Sequence, residues 1–252
     1  MRFVDLTGPE IAALDPDTVA VLPLGAIEQH GPHLPVSTDW VTASRAASAA
    51  VEAARVPAVE LPGLAVTKSD EHALFPGTIW LSWDTLMRTL VDYGRALVTS
   101  GITRLLFVNG HGGNSALGHV ACRELRREFG LRTFFSHLSL PADQGGTASA
   151  TSEYGMGVHG GHAETSLMLH LRPDLVHMDR AVRRVPEALR DYELIGFGKP
   201  VSFGWLSSDF GPDGHIGDPT AATAEHGEAV FGAAVGQLVE VIAEASRFAP
   251  PG

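Results

Sequence analysis

Cysteine is nearly absent from this chain of 252 residues, which contains only Cys122. A single cysteine excludes an intramolecular disulfide and a cysteine-rich metal site. Cys122 lies among apolar neighbours in a helical pattern, so we interpret it as a core residue. A metal ion in this protein would therefore need oxygen and imidazole ligands, which its 29 acidic residues and 12 histidines can supply.

Basic residues are also few. The 18 lysines and arginines leave a formal net charge of −11, so there is no basic surface for a phosphate backbone or an anionic membrane. We therefore expect neither nucleic acid nor a membrane as a partner. The start, MRFVDLTGPE, lacks the pattern of a signal peptide, and no uninterrupted run of about eighteen apolar residues occurs. These absences predict a cytoplasmic protein.

Hydrophobic residues make up 44% of the chain, which is enough to fill the core of one domain. Short β-branched runs such as TVAVLPLG and RLLFVNG alternate with longer helical patterns, which is typical of βαβ units. We predict a single α/β domain over residues 1–252, with a mostly parallel sheet and helices on both faces. Two stretches rich in Gly, Pro and Ser, 139–160 and 199–220, are candidate walls or lids of a site.

Histidines and acids cluster in three segments, two of which directly follow predicted strands. The segment after TVAVLPLG carries Glu28, His30 and Asp39, the NGHGGN turn after RLLFV carries His111, and HGGHAETS carries His159, His162 and Glu164. Open α/β sheets bind ligands at the carboxyl ends of their strands, so we expect the first two segments to be neighbours. Capping of the following helix is an alternative role for Asp39.

Carboxylates and imidazoles are ligands of Zn²⁺, Mn²⁺ and Fe²⁺, and a bridging carboxylate suits two metals about 3.5 to 4 Å apart. Two such cations lower the pKa of a shared water toward neutrality and polarise a carbonyl oxygen. The three clusters therefore predict a metal centre and a hydrolase of C–N or C–O bonds.

Five motifs resemble, in the same order, those of the creatininase family of metal-dependent amidohydrolases: GAIEQHGPHLPVSTD, FPGT at 75–78, LLFVNGHGGN, HGGHAETS and GHIGDPTAAT. The resemblance covers most of the chain. It implies a three-layer α/β/α fold, commonly assembled as a homohexamer. It also implies a dinuclear site at the strand ends, with two divalent ions (Zn, Mn or Fe) per subunit.

The resemblance implies roles for single residues as well. Glu28 and His111 would hold one metal, His30 would hold the other, and Asp39 would bridge both. Creatinine-hydrolysing members have an acid two residues after the NGH histidine, where this chain has Gly113, and this difference argues against creatinine as the substrate. We predict that Glu164 replaces the missing acid and that His159 transfers a proton to the leaving nitrogen.

Further residues have two interpretations each. Glu71 and His72, in SDEHALFPGT, resemble a family stretch that would line the substrate pocket, although this segment can also simply fix a turn. Trp205 is either part of a lid or a plug over the core. His33 either orients a metal ligand or only packs in the interior. His162 has no family counterpart.

Together these observations predict a dinuclear metal-dependent amidohydrolase that cleaves a C–N bond of a small amide, lactam or formamide. Two alternatives stay open. Some creatininase-like proteins resemble peptidases, so the substrate can instead be a short or modified peptide precursor. The fold can also serve as a non-catalytic, metal-stabilised assembly subunit, although a poised proton-transfer residue argues against that.

Overall fold

The computed structural model describes residues 1–138 and 152–250. Within these residues one sheet contains four strands in the order β2-β1-β3-β4: Val19–Leu24 (β1), Ala58–Glu60 (β2), Arg104–Asn109 (β3) and Arg132–His137 (β4). All three neighbouring pairs are parallel. The predicted α/β class with a parallel sheet is therefore confirmed.

Helices connect and cover these strands: Gly8–Ala12 (α1), Thr38–Ala53 (α2), Trp83–Thr99 (α3), Ser115–Phe129 (α4), His162–Leu171 (α5) and Ala224–Arg247 (α6). α3 shows why such segments are helical, since Leu86, Leu90 and Leu97 recur on its one buried face. α4 ends at Gly130, which adopts a φ of 72° that side chains rarely tolerate.

The core consists of two hydrophobic layers, one on each face of the sheet. On one face Leu22, Leu105 and Phe107 of the strands meet Leu86 and Leu90 of α3 and Leu125 of α4, with Cys122 packed against the layer. On the other face Val21, Leu106 and Val108 meet Ala46 and Ala47 of α2 and Leu238 and Ile242 of α6. Successive strand residues face opposite layers, and helices cover both layers, so β1 and the middle of β3 are apolar at every position. The predicted three-layer arrangement is present.

The strand order reverses between β1 and β3. From β1 the chain crosses to β2 on one side, and it then returns to place β3 on the other side of β1, with Leu24 paired to Asn109 at the carboxyl end. In open α/β sheets a crevice forms outside the carboxyl ends of the strands at such a reversal, and ligands bind there.

Among the described residues one helix, α6, is long and apolar enough to cross a membrane when judged by length and composition alone. Its residues Leu238, Ile242 and Ala245 are buried against the sheet and α2, as in the core helix of a globular domain. A single helix of this kind is weak evidence for a membrane partner.

Candidate metal centre

Four segments bring the predicted ligands to the reversal point of the sheet. Glu28 and His30 lie just after β1, and His111 lies two residues after β3. Asp39 is in the first turn of α2, and Glu164 is in the first turn of α5. The segments that the sequence predicted to be neighbours are therefore neighbours, although the roles of these side chains as ligands stay predictions.

The carboxylate of Asp39 lies between two histidines and offers a different oxygen to each. Oδ1 is 3.1 Å from Nε2 of His30, and Oδ2 is 3.0 Å from Nδ1 of His111. Oε2 of Glu28 approaches the same Nδ1 of His111 at 3.2 Å. All four residues are buried. This geometry suits a carboxylate that bridges two cations.

The hydrogen bonds on the outer sides of these histidines test whether the residues fit a metal. Nε2 of His111 donates to the Lys68 carbonyl (2.9 Å), and Nδ1 of His30 donates to the Glu28 carbonyl (3.1 Å). The inner nitrogens therefore present lone pairs to carboxylate oxygens, an arrangement that needs a positive charge in between. Metal-binding histidines are commonly oriented by such an outer bond. The donor set thus fits divalent cations.

Without a bound cation, protons on His30 and His111 supply the positive charge between the histidines and the carboxylates. Burial disfavours the charged ring of His30, but Asp39, Glu164 and Glu28 outweigh it and raise its pKa to about 10. Burial likewise opposes the charge on His111, yet Glu28 and Asp39 raise its pKa well above the usual value. Protons and metal ions consequently compete for the same nitrogens.

Glu164 lies at the outer side of this cluster, with its side chain 22% exposed. Its Oε2 is 3.9 Å from Nε2 of His30 and accepts a hydrogen bond from the Gly160 amide at 2.6 Å. Burial raises the pKa of Glu164 to about 7, and the nearby charge of Asp39 adds to this effect while His30 opposes it. The carboxylate is close enough to share a cation with His30 and His159.

The space beside Gly113 is filled by the carboxylate of Glu71. A Cβ added at Gly113 would lie 1.9 Å from Oε1 of Glu71 and 2.4 Å from Nε2 of His111. Oε1 of Glu71 is 3.5 Å from that Nε2, and Oε2 is 2.9 Å from Nζ of Lys68. Burial opposes ionisation of Glu71, but His111 and Lys68 lower its pKa to about 2. Glu71, predicted to line the pocket, thus contacts the outer nitrogen of His111. It also occupies the place beside Gly113 that we predicted for Glu164, whose carboxylate lies elsewhere in the cluster.

Two further histidines close the inner side of the cluster. The ring of His159 lies 4.2 Å from that of His30 and 4.0 Å from that of His72, measured between centroids. Nδ1 of His159 and Nε2 of His72 are each 3.5 Å from Oε1 of Glu28. Burial lowers the pKa of both rings, further for His159, where the charge of His30 adds to it. The lowered pKa values favour the neutral form of both rings.

Trp205 lies on the outer side of His72. The two rings meet edge to face with centroids 5.9 Å apart, and Phe197 and Phe210 pack around the indole. The stretch 199–220, predicted as a wall or lid, therefore reaches the centre. Of the other predicted stretch, residues 139–151 lie outside the described residues.

His33 and His162 are buried near the centre, but neither belongs to the ligand groups found among the described residues. Nε2 of His33 is 3.0 Å from the hydroxyl of Thr165, the neighbour of Glu164. Burial, together with the nearby His215, lowers the pKa of His33 to about 4. His162 donates from Nε2 to the Ala221 carbonyl at 3.1 Å. His33 is thus placed to act through Thr165.

Sequence reasoning missed two polar residues of the site. Ser69 donates a short hydrogen bond to the carboxylate of Glu28, and Gln29 contacts both His72 and His159. The EQHG motif contains Gln29, but nothing in its spacing distinguished this side chain. Ser69 begins the SDEHALFPGT stretch, but the family resemblance of that stretch starts only at Glu71.

A family model described as creatinine amidohydrolase matches residues 4–242 of this chain. The chain belongs to the creatininase family. It is 37% identical over 218 residues to the mycofactocin precursor peptide peptidase of Mycolicibacterium smegmatis, covering 84% of this chain and 79% of that protein. It is 32% identical over 244 residues to the creatinine amidohydrolase of Pseudomonas putida, covering 90% of each.

Solved structures of creatininases share the fold. Creatininase Mn superposes with a TM-score of 0.77 at 29% identity, covering 98% of this chain and 99% of that one. A mutant creatininase of Zn-Zn type gives 0.75 at 30% identity, covering 98% of each chain. This chain is accordingly a creatininase-family amidohydrolase with histidine and carboxylate groups suited to metal ions.

Proposed function

We propose that this chain is a dinuclear metal-dependent hydrolase that cleaves an amide C–N bond in a short or modified peptide. The observation that carries the dinuclear part is Asp39, whose two oxygens face the inner nitrogens of His30 and His111 separately. Glu28 would complete the site at His111, and Glu164 would complete the site at His30. The expected ions are zinc, manganese or iron, consistent with the Mn and Zn-Zn forms of related creatininases.

Two cations held by these residues would supply a water of lowered pKa and would polarise the carbonyl of the scissile amide. The residues of the chain provide the remaining steps. Burial lowers the pKa of His159 and favours its neutral form, and its Nδ1 faces the centre, so the ring can take a proton from the attacking water. It then delivers that proton to the nitrogen as the C–N bond breaks. The products are a carboxylate and an amine, and the histidine returns to its neutral form.

Peptides are favoured over small cyclic amides by the comparisons. Four mycobacterial relatives named mycofactocin precursor peptide peptidase are 36–37% identical to this chain, whereas the creatinine amidohydrolase is 32% identical. Gly113, which replaces an acid of creatinine-hydrolysing members, points the same way. Small amides, lactams and formamides are the second substrate class, since the same chemistry cleaves them.

Metal content per chain tests this proposal. Native protein purified without chelator should carry two divalent ions, and Glu164→Gln should carry about one. Glu228→Gln, on the exposed face of α6, makes the same chemical change away from the site and should keep both. One ion or none in the native protein, unchanged by the Glu164 substitution, would contradict the dinuclear site.

A substrate panel then separates the candidate functions. Metal-loaded native protein should hydrolyse short peptides faster than creatinine, a simple lactam or a formamide, and chelator-treated protein should hydrolyse none of them. Equal hydrolysis by folded, metal-free protein would refute the mechanism. Full metal content without any turnover would favour the non-catalytic assembly subunit.

Assembly and location belong to the same proposal. A homohexamer is suggested by the family resemblance, and the cytoplasmic location predicted from the sequence is part of the proposal. Light scattering of the purified protein tests the first, because a hexamer of 26.7 kDa chains differs sharply in mass from a monomer.

A further inference from the structure

Gln29 is a buried residue of the centre to which the proposed function gives no role. It lies between Glu28 and His30 in the chain, is 6% exposed, and places its amide beside the rings of His72 and His159. An amide has donors on one side and an acceptor on the other, so its orientation decides which nitrogen of each ring can carry hydrogen.

Two bonds to the backbone fix the orientation of this amide. The Gly31 N–H donates to Oε1 of Gln29 at 2.9 Å. Nε2 of Gln29 donates to the Gly214 carbonyl at 2.7 Å. Rotating the amide by half a turn would place an oxygen against a carbonyl and an NH₂ group against an N–H, and both bonds would be lost. Only the observed orientation satisfies both.

The second N–H of the amide points to His72. Nε2 of Gln29 is 3.2 Å from Nδ1 of His72, and a donor at that distance needs an acceptor. Nδ1 of His72 therefore has the lone pair, and the hydrogen of the ring is on Nε2. That N–H faces Oε1 of Glu28 at 3.5 Å. A ring that presents an N–H to the centre cannot bind a cation through that nitrogen.

The backbone carbonyl of Gln29 fixes the hydrogen of His159 on the nitrogen that points away from the centre. It lies 2.7 Å from Nε2 of His159, and since a carbonyl only accepts, Nε2 carries the hydrogen. Nε2 of the Gln29 amide is also 3.1 Å from this nitrogen, but both of its N–H groups are already used by Gly214 and His72. When the ring carries a single hydrogen, Nδ1 of His159 is the bare nitrogen, and it faces Glu28, His30 and Glu164.

We infer that Gln29 is a positioning residue that keeps the hydrogen of both rings on Nε2 while the rings turn opposite edges to the centre, so that His72 presents an N–H and His159 presents Nδ1. This deepens the proposed function, because only His159 can then accept the proton of the attacking water or bind a cation. His72 is limited to donating a hydrogen bond, either to Glu28 or to an oxygen of the substrate.

Nitrogen-15 spectroscopy of the histidine rings tests this assignment without any substrate. The full-length protein is labelled at histidine, loaded with Zn²⁺, which is diamagnetic, and studied in the solid state. A ring nitrogen that carries hydrogen is distinguished from a bare one by its shift and its N–H coupling. Spectra of His72→Asn and His159→Asn assign the two rings.

In the native protein we expect hydrogen on Nε2 of both rings. Gln29→Glu keeps the size of the side chain but removes both donors, so Nδ1 of His72 should now carry the hydrogen and donate to the new carboxylate. Gln237→Glu adds the same charge on the exposed face of α6 and should leave both rings as in the native protein.

Two results would overturn the inference. The first is a native His72 with hydrogen on Nδ1, which needs no variant to be seen. The second is a His72 tautomer that is identical in the native protein and in folded Gln29→Glu. Neither result depends on hydrolysis, so a failure of the proposed peptide substrate leaves this test intact.

Discussion

Replacing Gly113 with alanine should weaken metal binding, because the new methyl group has no free space. It would lie 1.9 Å from Oε1 of Glu71 and 2.4 Å from Nε2 of His111. The Glu71 carboxylate is the end of a flexible side chain and can swing away, giving up its contact with Lys68. His111 cannot, since it is buried between the Lys68 carbonyl on one side and Asp39 and Glu28 on the other.

Overpacking of this kind costs about 1 to 3 kcal/mol. If the displaced His111 ring accounts for the strain, that cost falls on the metal-bound state and weakens metal affinity by about 5- to 150-fold. A competition titration against a chelator of known affinity measures the change. Thermal unfolding of the metal-free variant shows how much of the cost is general destabilisation.

The neighbouring glycine provides a matched control. A Cβ at Gly112 meets nothing within 4 Å, so Gly112→Ala should bind metal as the native protein does. Adding Glu71→Ala to Gly113→Ala removes one of the two collisions but leaves the one with His111, so affinity should stay low. Native affinity in Gly113→Ala, or complete recovery in the double variant, would refute the argument that His111 is displaced.

Three further outcomes follow from the described contacts. The raised pKa values of His30 and His111 leave both rings protonated when no metal is bound. The metal affinity should therefore rise between pH 6 and 8, by up to about tenfold per pH unit for each proton displaced. A chelator-competition profile that does not change with pH would contradict this. The pKa of His33 falls from 6.5 to about 4 on folding, so the unfolded state binds the proton first and stability is lost as the pH falls through that window. The loss reaches about 3 kcal/mol and should be absent from the urea unfolding curves of His33→Gln. Phe107→Ala, at a fully buried strand position, should cost about 3 to 5 kcal/mol in the same assay, and a smaller loss would mean that the core collapses around the cavity.

The fold could be predicted from the sequence because strands that are buried on both faces are apolar at nearly every position. The continuous apolar runs became β1 and β3, and the amphipathic patterns became α2, α3 and α4. The apolar run AVELPGLAV, at 58–66, is another short run of the strand type, but β2 spans only Ala58–Glu60 of it. Pro62 has no N–H to donate and ends the regular pairing, although Leu64 still donates to the Pro23 carbonyl of β1.

The residues of the site could be predicted from the sequence only in part. The acids and histidines at the strand ends were predictable because parallel strands place their carboxyl ends at one edge. His72 was predicted at the site only through the family resemblance, and Ser69 and Gln29 were not predicted at all. Their positions depend on how irregular segments pack across the carboxyl ends of the strands. Local spacing carries no information about such contacts, and Glu71 shows it best: its carboxylate reaches His111 from forty residues away.

Two glycines explain how one helix can place Asp39 between two histidines. A Cβ at Gly25, directly after β1, would lie 2.5 Å from the Trp40 Cα, and one at Gly110, directly after β3, would lie 2.9 Å from the Asp39 carbonyl oxygen. These neighbours are backbone atoms at the start of α2, which cannot turn aside as a side chain can. Any larger residue at either position would push the helix away from the sheet and withdraw the Asp39 carboxylate from His30 and His111. The close contact of backbone with backbone is therefore as necessary to this centre as the ligands themselves.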